Sequence, residues 1–202
     1  MWEGVFSNMY YRKGTIFFTA KLLCIAVALA PAFKMKFWNI GAEGQVLMGA
    51  LSTAIVMVNF STLSTPLLFT IMIVSSVVMG AIWGLIPAIF KAKWNVNETL
   101  FTLMMNYVAM QLVDYYYNIW KGSKASLGML NPGTKAGYLP EYNGSSNNII
   151  VTVVLIITVL MYIYLKKTKH GYEIAVVGES ENTARYAGID VKKVIIRTML
   201  IS

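Results

Sequence analysis

The sequence has little of what a disulfide framework, a metal centre or a water-soluble surface requires. Its 202 residues include one cysteine, Cys24, and one histidine, His170. A single thiol cannot form a disulfide within the chain, and a single imidazole cannot build a multi-histidine metal site. Charged residues make up only 13% of the chain, whereas soluble domains contain about a quarter. These shortages argue against a disulfide-stabilised domain, a Cys/His metal site and an ordinary soluble fold.

Apolar residues are in excess, at 57% of the chain, and they occur in long runs. A helix needs roughly 20 apolar residues to cross the hydrocarbon core of a membrane. We predict five such spans, at residues 15–33, 42–58, 67–90, 98–120 and 149–165. The expected fold is an all-α membrane protein, a polytopic bundle of transmembrane helices forming one domain over residues 1–202. Residues 191–202 read as the start of a sixth span, so we expect the chain to be incomplete.

The net charge of +8 comes from lysines that flank the apolar runs. They form no single basic stripe, so we expect a lipid bilayer and no nucleic acid as partner. Clusters follow the first, third and fifth predicted spans, at residues 34–36, 91–93 and 166–169. The positive-inside rule places these clusters in the cytoplasm. The loop at residues 121–148 then faces outward, and residues 171–190 form a cytoplasmic segment.

A polar stretch, Asn-Ile-Gly-Ala-Glu-Gly-Gln at residues 39–45, opens the second predicted span. A carboxylate at the bilayer centre costs about 2.5–3.5 kcal/mol. Glu43 is therefore expected either at an interfacial helix start, where the macrodipole favours it, or beside a wet path at a broken helix. Asn106 either binds another helix or lines a pore. Under the path hypothesis the candidate residues are Asn39, Glu43, Gln45 and Asn106.

The segment at residues 178–189 has the pattern of a short helix. Ser180 suits the N-cap position and Gly188 suits the position just after the helix. A helix of this length is not stable alone in water. It therefore packs either against the spans, as an ordinary loop helix, or against a cytoplasmic partner.

Three stretches in order carry a resemblance to a known family. They are Phe-Trp-Asn-Ile-Gly-Ala-Glu-Gly-Gln at 37–45, Asn-Glu-Thr-Leu-Phe-Thr-Leu-Met-Met-Asn-Tyr at 97–107 and Gly-Glu-Ser-Glu-Asn-Thr-Ala-Arg-Tyr-Ala-Gly-Ile at 178–189. Together they resemble the bacterial ABC transporter permeases for simple sugars and nucleosides, which are related to branched-chain permeases. The nucleoside branch is the most similar, although Trp38 interrupts its usual Phe-Asn-Ile-Gly spelling.

The resemblance implies a type II importer core in the bacterial plasma membrane. Its parts would be a second permease subunit, cytoplasmic ATPase subunits and an extracellular substrate-binding lipoprotein. The segment at 178–189 would be the coupling helix that docks on the ATPase, with Gly178, Glu179, Ala184, Arg185, Gly188 and Ile189 as its matching residues. The chain itself has no Gly-x-x-x-x-Gly-Lys-Ser/Thr phosphate loop, so we expect no cofactor and assign ATP to the partner.

Three other functions compete with this prediction. A related permease could carry a pentose or a branched-chain amino acid. A membrane-embedded enzyme would need a convergent catalytic set within the spans, which the sequence does not offer. A scaffold subunit that does not transport is the third alternative.

Overall fold

The computed structural model describes residues 9–139 and 147–202, and the side chains of residues 12–139 and 148–202. Regular structure in these residues is helical throughout. The helices are α1 (Met9–Lys34), α2 (Ala42–Asn59), α3 (Thr65–Trp94), α4 (Glu98–Lys121), α5 (Asn147–Lys167), α6 (Lys169–Glu179), α7 (Glu181–Tyr186) and α8 (Val191–Ile201).

A helix occupies each of the five predicted spans. Three helical stretches in the described part of the chain are long and apolar enough to cross a membrane, namely Arg12–Lys34, Thr65–Trp94 and Asn148–Lys167. Helices α2 and α4, which begin at the polar stretches, do not meet that standard. The all-helical membrane fold is thus confirmed, and the crossing of the membrane by α2 and α4 stays a prediction.

Helix α3 continues past Phe90, where the sequence predicts its end, to Trp94. The extension contains an ion pair that the sequence pattern does not reveal. Lys91 Nζ lies 3.0 Å from Glu98 Oε2, and both side chains are mostly buried. The helix ends at Asn95, which adopts the left-handed conformation with φ 50°. Asn97 then caps α4 as predicted, accepting a hydrogen bond from Leu100 N.

The carboxyl ends of α1 and α5 lie together at one end of the bundle. Lys34 Nζ donates to the backbone oxygen of Leu165 at 3.0 Å and to that of Gly171 at 3.5 Å. The last carbonyls of a helix have no partner within it and carry the negative end of its macrodipole. Lys34 therefore joins α1 to the end of α5 and to α6. It has this structural role in addition to being part of the positively charged cluster after α1.

A buried core at this end is built from α1, α3, α6, α7 and α8. Its members are mainly small and aliphatic side chains, together with Phe37; five of them are fully buried, namely Ala32, Ala88, Ile174, Ala184 and Met199. The sequence prediction missed α6 as a separate helix. Thr168 caps it by accepting a hydrogen bond from Gly171 N, and its apolar positions Ile174 and Val177 face the core.

The opposite end of the bundle is covered by the chain that follows α4. Asn131 Nδ2 donates to the backbone oxygen of Met57, near the end of α2, at 2.7 Å. Gly137 has φ +83° and packs so closely that a Cβ there would lie 2.9 Å from Met57 Cγ. The loop therefore folds back over α2 and α3 through residues 131–137. The remainder of the predicted loop, up to residue 146, lies outside the described residues.

Gly178 allows α6 to approach the end of α1 at backbone distance. A Cβ at this position would overlap Lys34 O and come within 3.2 Å of Met35 Cα. We predict that Gly178→Ala lowers the stability of the purified protein by about 1–3 kcal/mol, because the backbones must separate. The matched control is Gly14→Ala, since nothing lies within 4 Å of that Cβ. Thermal unfolding in detergent measures both, and equal melting temperatures would contradict the close contact.

Candidate functional site

The entry of α2 is held by the side chain of Asn106 on α4. Its Oδ1 accepts the backbone N–H of Gly44 at 2.8 Å, and its Nδ2 donates to the backbone oxygen of Ile40 at 2.9 Å. Asn106 is 5% exposed. The first N–H groups of a helix have no partner within it, and in lipid such groups must be satisfied by the protein. One amide thus holds both sides of the turn into α2.

Further polar side chains complete this hydrogen-bond cluster. Thr102 Oγ1, one turn before Asn106 on α4, accepts the N–H of Ile40 at 3.2 Å. Asn39 Oδ1 accepts the N–H of Gly41 at 3.0 Å, and Asn39 Nδ2 donates to Gln45 Oε1 at 2.9 Å. Sequence reasoning missed Thr102, although it lies four residues from Asn106, on the same face of α4.

The glycines of the polar stretch are required by its packing. A Cβ on Gly44 would lie 2.8 Å from Asn106 Oδ1 and 3.0 Å from Trp83 Nε1. On the facing helix, a Cβ on Gly84 would overlap the side-chain amide of Gln45. Small residues thus let α2, α3 and α4 meet around the polar cluster, as they do generally in membrane helix packing.

Glu43 differs from its neighbours in the stretch. Asn39, Gln45 and Asn106 are buried or half-buried and bonded within the cluster, whereas Glu43 is exposed. It lies in the first turn of α2, where the helix macrodipole favours a negative charge. It forms no ion pair within the described residues. Of the four predicted path residues, three form one cluster and the fourth projects from it.

The predicted short helix is present as α7, with both caps. Ser180 Oγ accepts the N–H of Thr183 at 3.3 Å. After the helix, Gly188 has φ +76° and donates to Arg185 O, while Ile189 N donates to Ala184 O at 2.9 Å. This pair of bonds is the Schellman arrangement, which favours glycine at the left-handed position. The capping predictions for Ser180 and Gly188 are confirmed.

The six residues matched to the coupling helix divide into two groups. Gly178 lies in α6 against α1, Ala184 is fully buried, Gly188 ends α7, and Ile189 packs on the core. Gly178, Ala184 and Ile189 attach the segment to the bundle, whereas Gly188 is exposed and serves the turn after α7. Glu179 and Arg185 are exposed.

The exposed side of α7 also carries a residue that the sequence analysis did not select. Tyr186 is 94% exposed, more than any other large hydrophobic residue in the described chain. The position of Tyr186 beside Arg185 was the available signal, because aromatic residues and arginine are enriched at protein interfaces. Arg185 Nη2 lies 3.4 Å from Glu181 Oε2 on the same helix.

The single histidine belongs to a packing contact between α5 and α6. His170 Nδ1 shares a hydrogen bond with the hydroxyl of Tyr164, and its Nε2 is buried without a partner in the described residues. Burial lowers the pKa of His170 below its ordinary value; Glu173 acts against this shift and Arg197 adds to it. The imidazole is therefore neutral near pH 7.

The described residues contain no group of three or more His, Cys, Asp or Glu side chains placed to hold a metal ion. Their chemistry is hydrogen bonding at the α2 entry and an exposed, charged helix at one end of the bundle.

The class defined by this fold is that of an all-helical membrane protein. Residues 13–202 match the family described as the branched-chain amino acid transport system/permease component, and the chain belongs to that family. The resemblance to permeases of ATP-binding-cassette transporters is thereby confirmed.

Three curated relatives are similar to this chain. The guanosine ABC transporter permease NupP of Bacillus subtilis is 30% identical over 209 residues, covering all of this chain and 59% of its own length. The glucose ABC transporter permease TsgB13 of Haloferax volcanii is 31% identical, over 89% of this chain and 50% of its own. The nucleoside ABC transporter permease NupB of Lactococcus lactis is 28% identical, over 90% of this chain and 52% of its own.

This chain thus spans between half and three-fifths of the length of these relatives. No solved structure matches it.

The cluster around Asn106 predicts a specific stability effect. Asn106→Leu leaves the buried N–H of Gly44 and the partly buried O of Ile40 without their partner, and the buried group alone costs about 1–3 kcal/mol. We expect a destabilisation of about 2 kcal/mol or more. The control is Asn118→Ala on the same helix, where an exposed amide bonds Asp114 O and the expected change is below about 0.5 kcal/mol. An equal shift in melting temperature for both variants would show that Asn106 does not hold the entry of α2.

Proposed function

We propose that the chain is the transmembrane part of an importer permease in the bacterial plasma membrane, forming the path for a nucleoside or a simple sugar. The observation that carries the proposal is the family match over residues 13–202. Relatives named for guanosine, nucleoside and glucose transport favour this solute class. The subunits expected with it are a cytoplasmic ATPase, a second permease chain and an extracellular substrate-binding lipoprotein.

The orientation follows from the charged ends of the helices. Lys34, Lys91 and the segment containing α6 and α7 lie at the same end of the bundle. An excess of lysine on one side favours the cytoplasm for that side. Residues 122–139, at the other end, then face outward.

Helix α7 is the proposed docking element for the ATPase. Its buried residue, Ala184, attaches it to the core, and its exposed residues, Arg185 and Tyr186, are free to contact a protein surface. A helix of six residues needs such attachment to persist. The buried contact of Ala184 and the exposed side of α7 together support a role in transmitting movement of the ATPase to the spans.

Reversal of the charge at Arg185 tests this docking. Arg185→Glu exchanges an exposed pair on one helix for a repulsion, which changes helix stability by only about 0.2–0.5 kcal/mol. We expect the ATPase to be lost from the complex when the natural full-length permease is purified in detergent. Co-purification measured by band intensity is the readout.

The matched control is Lys193→Glu on α8. Lys193 is also an exposed cation paired with an acid of its own segment, Asp190, at 3.1 Å. We expect the ATPase to remain bound in this variant. Equal retention in both variants would remove α7 as the docking element, whereas loss of the ATPase from the unaltered protein would count against the importer itself.

The polar entry of α2 is the proposed wall of the path. Glu43 is the residue expected to face the solute, because it is exposed and unpaired within the described residues. Asn39, Gln45 and Asn106 are expected to give the wall its shape through their mutual bonds. A carboxylate at this place can accept hydrogen bonds from sugar hydroxyls or base N–H groups.

Glu43→Gln tests this assignment with little change in shape. We expect uptake of radiolabelled nucleoside in cells to show a KM raised about tenfold, since a charge-assisted hydrogen bond is lost. Melting temperature should change little, because the exposed side chain supports no packing. The control is Asp114→Asn, an exposed carboxylate on α4. Unchanged uptake by Glu43→Gln would remove Glu43 from the path.

A branched-chain amino acid is the second candidate solute, because the description of the family names it. Competition of unlabelled leucine against nucleoside uptake separates the two solutes. We expect excess guanosine, and not leucine, to reduce the uptake.

A further inference from the structure

Lys21 is a charged residue in the middle of an apolar helix. It lies within the membrane-crossing stretch Arg12–Lys34 of α1. At about 1.5 Å per residue it is roughly 13 Å along the helix from Arg12, so it lies near the centre of a hydrocarbon core about 30 Å thick. A lysine at that depth is costly and calls for a polar surrounding. No part of the site described above uses it.

The immediate neighbours of Lys21 are two aromatic rings. Its Nζ lies 4.0 Å from the ring centroid of Phe17 and 5.4 Å from that of Phe18. Such contacts stabilise the cation. Within the described residues Lys21 forms no ion pair. The ammonium group can therefore still donate hydrogen bonds to a partner.

The face of α1 that carries Lys21 is exposed at Lys21 and becomes buried toward the carboxyl end of the helix. Residues 7 and 11 positions further along share this face. They are Ala28, which is half-buried, and Ala32, which is fully buried. An exposed lysine at this depth is not expected to face lipid, so its face calls for protein or water in the assembled permease. Burial thus increases along one stripe toward the core. Lys21 begins a stripe that faces protein at its other end.

A different face of α1 is turned outward over its length. Leu22 is 68% exposed and Phe33, 11 positions further on, is 41% exposed. A third face lies against α5, where Ile16, Ala20 and Leu23 meet Val154. Leu22 is at the same depth as Lys21 and about 100° away around the helix. Both side chains are exposed within the described chain, but Leu22 is apolar and is therefore expected to contact lipid. It provides a matched position for an experiment.

An open space adjoins the same part of the core. Met199 of α8 belongs to the core cluster with Ala32 and Met35. It also borders a cavity of about 510 Å³ whose other walls include Gln45 of α2 and Gly80 of α3. Met199 thus lies between the buried part of the α1 stripe, at Ala32, and this partly polar cavity.

We propose that Lys21 lines a water-filled interior face of the assembled permease and donates hydrogen bonds to oxygen atoms of a neutral polar solute. The ammonium group is a donor with no acceptor capacity, so it suits hydroxyl and carbonyl oxygens. Its positive charge also repels cations, which would limit leakage of protons and sodium ions along the path. The proposal rests on the proposed transport function and adds a recognition residue to it.

Cysteine accessibility tests the position of Lys21 without requiring transport. Cys24 is the only cysteine of this sequence; Cys24→Ser, together with replacement by serine of any cysteine elsewhere in the full-length permease, gives a thiol-free background. Lys21→Cys and Leu22→Cys are then compared in the natural full-length permease, reconstituted in lipid vesicles and treated with a charged methanethiosulfonate reagent. We expect Lys21→Cys to react and Leu22→Cys not to react, because the thiolate forms in water and not in lipid. Lack of reaction at both positions, or faster reaction at Leu22→Cys, would overturn the proposal.

Uptake kinetics test the contact with solute. We expect Lys21→Met to raise the KM for nucleoside about tenfold or more, as loss of a charged hydrogen bond implies, and Lys21→Arg to retain most of the affinity. An unchanged KM in Lys21→Met would overturn the solute contact. If the unaltered protein takes up no nucleoside, the proposed function fails, and the labelling comparison still decides where Lys21 lies.

Discussion

The structure depends on the need to satisfy backbone polar groups where a helix starts inside a membrane protein. The turn into α2 exposes N–H and C=O groups that lipid cannot bond. Asn106 meets one of each, at Gly44 and Ile40, and Thr102 meets another. The close approach of the three helices follows from this arrangement, because Gly44 and Gly84 leave room for the amides. Polarity at the α2 entry is therefore primarily a condition of folding.

This arrangement also changes the meaning of the polar stretch for transport. Residues of one motif would ordinarily be assigned one role. Here burial separates them: Asn39 is 2% exposed and bonded to Gln45, whereas Glu43 is exposed. The stretch thus combines buried amides that bond one another with a single exposed acidic side chain. The same division recurs in α7, where buried Ala184 fixes the helix and Arg185 projects from it.

The sequence was sufficient to predict the long helices and both caps of α7, because apolar length and capping residues act locally. Ser180, Gly188 and Asn97 each have the predicted role. The sequence was insufficient where the structure depends on contacts between residues that are far apart along the chain. The ion pair of Lys91 depends on Glu98 of the next helix, and the role of Gly178 depends on the backbone of α1. Periodicity likewise could not decide whether Asn106 bonds another helix or faces a pore, because both alternatives place an amide two turns into α4.

The contact between Gly178 and Lys34 has a mechanical consequence. Side chains in an interface can change rotamer and absorb a small displacement, but two backbones in contact have no such compliant layer. A load applied at α7 would pass through α6 directly to the main chain of α1 at its carboxyl end, Lys34. The glycine thus makes this junction stiff, and a stiff junction converts a local push into movement of a whole helix.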